Sequence, residues 1–142
     1  MIDVENLVID TISKALDASA YSNTDITSDY VEVPSSFPHV SVVEIDNYTY
    51  TNTQDNDLQE HHTNVMYEVN VYSNKTKASK EEAKAILDIV DTAFQNIKFT
   101  RTLKQSIPNR DKTVYRIVAR YRAIIGEAQT IGNNTVYPVY RR

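Results

Sequence analysis

The pattern of apolar and polar positions changes period within "EHHTNVMYEVNVYSNKTKASKEEAKAILDIVDTAFQ", residues 60–95. Up to Tyr72 the two kinds alternate. Val65, Tyr67, Val69 and Val71 share one face, and Met66, Glu68, Asn70 and Tyr72 the other. That period of two predicts a strand. After Ala78 the apolar residues return every three to four positions, which predicts an amphipathic helix. Ala83, Ile86, Leu87, Val90, Phe94 and Ile97 form its buried stripe, while Asp88 and Asp91 fall on the solvated side. Ser79 and Glu82 have the spacing of a capping box at its start.

The same reading extends along the chain. Val4, Leu7, Val8, Ile12, Ala15 and Leu16 fall on one helical face and predict a first helix over about Asp3–Ala18. Asp3 is suited to cap it, and Glu5 suits its first turn. "YVEV", 30–33, reads as a short strand ending at Pro34. "FPHVSVVEI", 37–45, reads as a stronger one, with Pro38 tolerated near its entry. Residues 46–63, "DNYTYTNTQDNDLQEHHT", are almost entirely polar, with Tyr48 and Tyr50 near their beginning. They form either a long exposed loop or a hairpin reaching beyond the body, and such segments are often functional.

"FTRTLKQSI", 99–107, alternates as a strand and "PNRD" turns the chain. "KTVYRIVARYRAIIG" returns with Tyr115, Ile117, Ala119, Tyr121, Ala123 and Ile125 on one face. Val114, Arg116, Val118, Arg120, Arg122 and Ile124 take the other. Residues 127–142 make a C-terminal extension with one more short strand around Thr135–Val139. The sum is a single α+β domain over 1–142: a mostly antiparallel sheet of four to six strands with two helices packed on one face.

Composition narrows the chemistry. Two glycines, Gly126 and Gly132, leave no G-x-G-x-x-G and no Walker loop to wrap a phosphate. With no cysteine, disulfides and thiolate sites are excluded. Ten tyrosines and no tryptophan suit strands and half-buried contact surfaces. A net charge of −4 and a pI of about 5.3 disfavour a generic nucleic-acid coat. The N-terminus carries acids where a signal peptide needs bases, and no apolar run approaches a membrane span.

Candidate chemical residues do not form a known constellation. His61 and His62 are adjacent, so on a strand they point to opposite faces and make a poor metal pair. "DNDLQE" lacks the glycine and the terminal glutamate spacing of a calcium loop. His39, inside a strand, reads as a packed or hydrogen-bonded residue. No serine lies in G-x-S-x-G. We therefore expect no enzyme activity, cofactor or metal. Arg116, Arg120 and Arg122 share one strand face and admit three readings. They form a solvated sheet face with cross-strand partners such as Glu68, a surface between subunits, or, least in keeping with the acidic net charge, a stripe facing DNA.

Three segments taken together carry a resemblance. "FPHVSVVEI" is followed by a polar loop; "NVMYEVNVYSNKTKASKEEAKAILDIVDTAF" gives strand, connection and helix; "TVYRIVARYRAII" closes with a Tyr/Arg strand. In this order, behind a short N-terminal helix, the chain resembles the tail terminator (tail completion) proteins of long-tailed bacteriophages over most of residues 1–126. The resemblance implies a small structural virion subunit in the neck, forming a hexameric ring on the finished tail tube. It further implies contacts with its own copies, with the tube protein and with the head-tail connector, and genomic DNA passing through the lumen without sequence-specific binding. Within it, Tyr48 and Tyr50 of 46–63 would serve axial contacts, and Arg116, Arg120 and Arg122 lateral or lumenal ones. Alternatives are another neck or tail component, such as a head-tail adaptor or tube protein, and a non-viral monomeric binding module.

Overall fold

The strongly periodic segments make the long elements of the structure, a computed structural model that describes residues 2–49, 62–108, 112–126, 129–131 and 134–140. In chain order these are α1 (Glu5–Asp17), β1 (Asp25–Thr27), β2 (His39–Thr49), β3 (His62–Ser73), α2 (Ser79–Asn96), β4 (Thr100–Ile107), β5 (Tyr115–Gly126), β6 (Gln129–Ile131), β7 (Asn134–Val136) and β8 (Val139–Tyr140). Six strands form one sheet, ordered β1-β2-β3-β5-β4, and β8 pairs with β5 beyond the point where β4 begins. Among the described strands only β1, beside β2, runs parallel to its neighbour; β6 and β7 pair separately. The fold class is α+β, as the periodicity predicts.

Register puts like with like. Val40 lies opposite Val71 and Val42 opposite Val69, and across the next seam Val71 meets Ile117, Tyr67 meets Tyr121 and Val65 meets Ala123. This face is buried under Val8, Ile12 and Leu16 of α1 and Ala83, Ile86, Leu87, Val90 and Phe94 of α2. Phe94 stacks on Tyr121 with ring centroids 4.1 Å apart and planes 6° apart, while Phe99 meets Phe94 edge-on at 5.3 Å. Such pairs add about 0.5–1.5 kcal/mol each beyond the area they bury.

Several expectations are corrected. "YVEV" is not a strand: Val33 is 75% exposed and Tyr30 55%, and the edge strand is instead Asp25–Thr27. Residues 28–33 run over the sheet, where the Val31 carbonyl accepts the Tyr72 hydroxyl at 2.7 Å. The capping box does not form. Ala78 is the N-cap, Ser79 is already helical, and the Glu82 carboxylate accepts Ser73 Oγ–H at 2.8 Å instead. Asp91 is not solvated but 8% exposed, because Arg101 and Tyr121 both reach it. The single strand at Thr135–Val139 is divided into β7 and β8, which lie in different sheets. Pro138, between them, has no N–H to donate; its carbonyl takes the Gly126 N–H at 2.8 Å.

Of 46–63, only the ends are described, and they lie in β2 and β3. Residues 46–49 continue β2, and Thr49 pairs with Thr63. Residues 50–61 lie outside the described residues. No described helix is long and apolar enough to cross a membrane.

Candidate interaction surface

Because β5 alternates, its second set of side chains projects from the sheet face opposite the helices. There Arg116, Arg120 and Arg122 stand in a row, as the alternation predicts. Their cross-strand neighbours on β3 are Tyr72, Glu68 and Met66. Arg116 donates from Nε and Nη2 to Asn70 Oδ1 at 3.0 and 2.7 Å, and its guanidinium lies 5.5 Å from the rings of both Tyr30 and Tyr72. Asn70 Nδ2 donates to Glu68 Oε1 at 3.3 Å, and Glu68 Oε2 accepts Arg120 Nε–H at 3.0 Å. One chain of hydrogen bonds thus runs Arg116–Asn70–Glu68–Arg120 across the seam. Arg122, half-buried, completes the row between Met66 and Thr100. The cross-strand pairing with Glu68 is therefore present. It pre-orders two of the arginines on this face.

The ends of the sheet differ. At one end β2 stops at Thr49, β3 starts at His62 and β5 stops at Gly126, with His62 paired to Gly126. The strand ends that border 50–61 and 127–138 all lie at this pole. Tyr48, 46% exposed, lies there, and Tyr50 lies outside the described residues. His62 meets Tyr140 edge-on at 5.4 Å, and a Cβ on Gly126 would touch both rings at 3.4 Å. His61 lies outside the described residues.

At the opposite pole His39 is 2% exposed. Its Nδ1 is 3.1 Å from Asp25 Oδ2, and its Nε2 is 3.1 Å from Thr27 Oγ1. The spacing is that of a hydroxyl–imidazole–carboxylate relay. Here, however, Thr27 Oγ1 also donates to the Asp29 carbonyl, and Tyr72 lies tilted over the imidazole at 6.0 Å. The arrangement pins the loop after β1 to the sheet. Among the described residues no group of His, Asp and Glu has the placement to hold a metal ion.

Two acids each accept a buried tyrosine hydroxyl. Asp91 accepts Tyr121 O–H at 2.8 Å, Arg101 Nη1–H at 3.2 Å and Gln95 Nε2–H at 2.7 Å. Burial, with the Asp91 carboxylate beside it, pushes the Tyr121 phenol far up. Glu44 accepts from Tyr67 and Asn47, both at 3.2 Å. Burial raises its carboxyl above the usual range against those two bonds, with Asp3 and Glu5 adding to the rise.

The strand-by-strand reading misses the sorting of charge along the chain. Residues 1–60 hold twelve acidic side chains and one basic one, Lys14; residues 61–142 hold seven acidic and fourteen basic. A running charge count would have exposed it. No protein-family model matches the chain, and no curated protein matches it either.

Proposed function

We propose that the chain is a structural subunit of a long-tailed phage virion, a tail terminator. Copies form a hexameric ring that caps the completed tail tube, stops its polymerisation and docks to the head connector. Its action is steric: one ring face matches the tube, and the other offers nothing for a further tube layer. DNA crosses the lumen without base readout, and no chemical step is required.

The observation that carries this reading is the division of the surface into one pole and two flanks. Thr49, His62 and Gly126, the sheet ends that border 50–61 and 127–138, lie at a single pole, which is suited to axial contacts. The flanks are sheet edges that no described strand covers: the outer side of β4, and β2 beyond Ser41, where β1 ends. They are suited to lateral contacts. A ring subunit needs both kinds, and lateral contacts of the head-to-tail type close by rotation. The row of Arg116, Arg120 and Arg122 supports a contact face, because pre-ordered arginine loses little freedom on pairing with carboxylates.

The test is to assemble tails with this chain omitted. The proposal expects tubes of uncontrolled length that fail to join heads. Tails of normal length that join heads normally would overturn it. Long polymers formed by the purified chain alone would reassign it as a tube protein.

A further inference from the structure

The sheet order converts the sorting of charge along the chain into a separation in space. The first half of the chain supplies β1 and β2, and the second half supplies β5 and β4, at opposite edges of the sheet. The segment leading into α1 belongs to the first edge, where Asn47 Nδ2 donates to the Ile2 carbonyl at 2.9 Å. On this flank Asp3, Asp25 and Asp46 are exposed. On the β4 flank Lys104 and Lys112 are exposed, beside Arg101, which is paired with Asp91. With strands about 4.8 Å apart, the outer strands of a five-strand path stand roughly 19 Å from each other. That exceeds the Debye length of about 10 Å at 0.1 M salt, so neither flank neutralises the other within one copy.

The acidic flank is crowded: Glu44, whose carboxyl is raised first by burial, has Asp3 and Glu5 adding to the rise. Both edges also resist simple strand addition. β2 carries a bulge between Glu44 and Asp46, and β4 a register shift between Arg101 and Leu103. Bulges and charges on an edge disfavour a continuous backbone ladder. What remains available is side-chain pairing of opposite charge.

We infer that the acidic β1–β2 flank of one copy docks on the basic β4 flank of a second copy, head to tail, and that this ionic contact joins the ring. The inference rests on the ring reading above and names the surfaces that build it. A polyanion such as DNA would engage the basic flank alone and leave the acidic flank without a role; a second copy uses both.

The test is a charge swap on the full chain, read as particle mass in solution. The basic-edge variant is Lys104→Glu/Lys112→Glu, and the acidic-edge variant is Asp3→Lys/Asp46→Lys. All four positions are exposed, and unchanged circular dichroism spectra check the folds. Each variant alone is expected to assemble at least about tenfold more weakly than the wild type near 0.1 M salt, with the gap narrowing towards 1 M as screening sets in. Mixing the two presents acidic edges on one and basic edges on the other, and is expected to restore particles in which the variants alternate one to one. If each variant assembles alone as well as the wild type, or if the mixture does not recover, the flanks are not the contact and the ring reading still stands. If the wild type stays monomeric at every salt concentration, even with tail tubes present, both fall. Retention of DNA by the basic flank without self-association has the same consequence.

Discussion

Replacing Asp91 with alanine removes the acceptor for three donors at the seam between α2 and the sheet, and the donors differ in what they lose. Tyr121 is fully buried, so its hydroxyl is left without an acceptor, at a cost of about 1–3 kcal/mol. Arg101 has a 45% exposed side chain and returns to water, so its pair contributes less than about 1 kcal/mol. Alanine gains roughly 0.6 kcal/mol over aspartate in a helix interior. The net expectation is a loss of about 2 kcal/mol, a fall in Tm of roughly 6–8 °C for a domain of this size. Tyr121→Phe keeps the stack on Phe94 and leaves Asp91 its Arg101 and Gln95 donors, so it should cost about 1 kcal/mol. The double variant leaves no orphaned hydroxyl and should cost less than the two singles together by about 1 kcal/mol. Denaturant unfolding followed by circular dichroism measures all four corners of the cycle. A loss below about 0.5 kcal/mol for Asp91→Ala, or additivity within about 0.3 kcal/mol, would refute the buried-acceptor account.

Two further outcomes follow from the sheet. Arg116→Lys loses the forked bond to buried Asn70 and the planar contact with two tyrosine rings; it should destabilise by about 1 kcal/mol in the same assay, and an unchanged midpoint would show that the network is idle. Glu44 holds its proton more tightly folded than unfolded, so between those two pKa values the native state binds more protons and stability falls as pH rises. Glu44→Gln keeps an oxygen acceptor and escapes that loss. It should therefore be more stable than the wild type at pH about 7 and gain nothing at pH about 3, below the ordinary glutamate range. An advantage that does not depend on pH would contradict the burial assigned to Glu44.

Legibility in the sequence followed the length of each pattern. α2, β3 and β5 span 18, 12 and 12 residues, enough for a period to declare itself, although Asp91 and Ala93 on α2 and Asn70 and Tyr72 on the far face of β3 are buried as well. β1 has three residues, Asp25–Thr27, and is held by pairing to His39–Ser41, a tertiary cause with no local signal. "YVEV" mimicked a strand because Tyr30 and Val31 do contact the sheet, but from above it. Asp91 misled through its charge: it lies four residues beyond Leu87, at the margin of the buried stripe, and only Arg101 and Tyr121, ten and thirty positions away, explain its burial. The arginine row was legible from alternation alone, whereas its tether to Asn70 depends on register, which no single strand encodes. The sorted charge was fully present in the chain, but its meaning needed the strand order.

The central claim is that copies of this chain close into a ring on one end of a tail tube. The most direct measurement is electron microscopy of purified tail tubes incubated with the purified chain, with the mass of the bound particle determined. The account predicts a single ring of closed symmetry at one end of each tube and no further elongation when tube subunits are added. Monomers scattered along the tube wall, or tubes that keep growing, would contradict it.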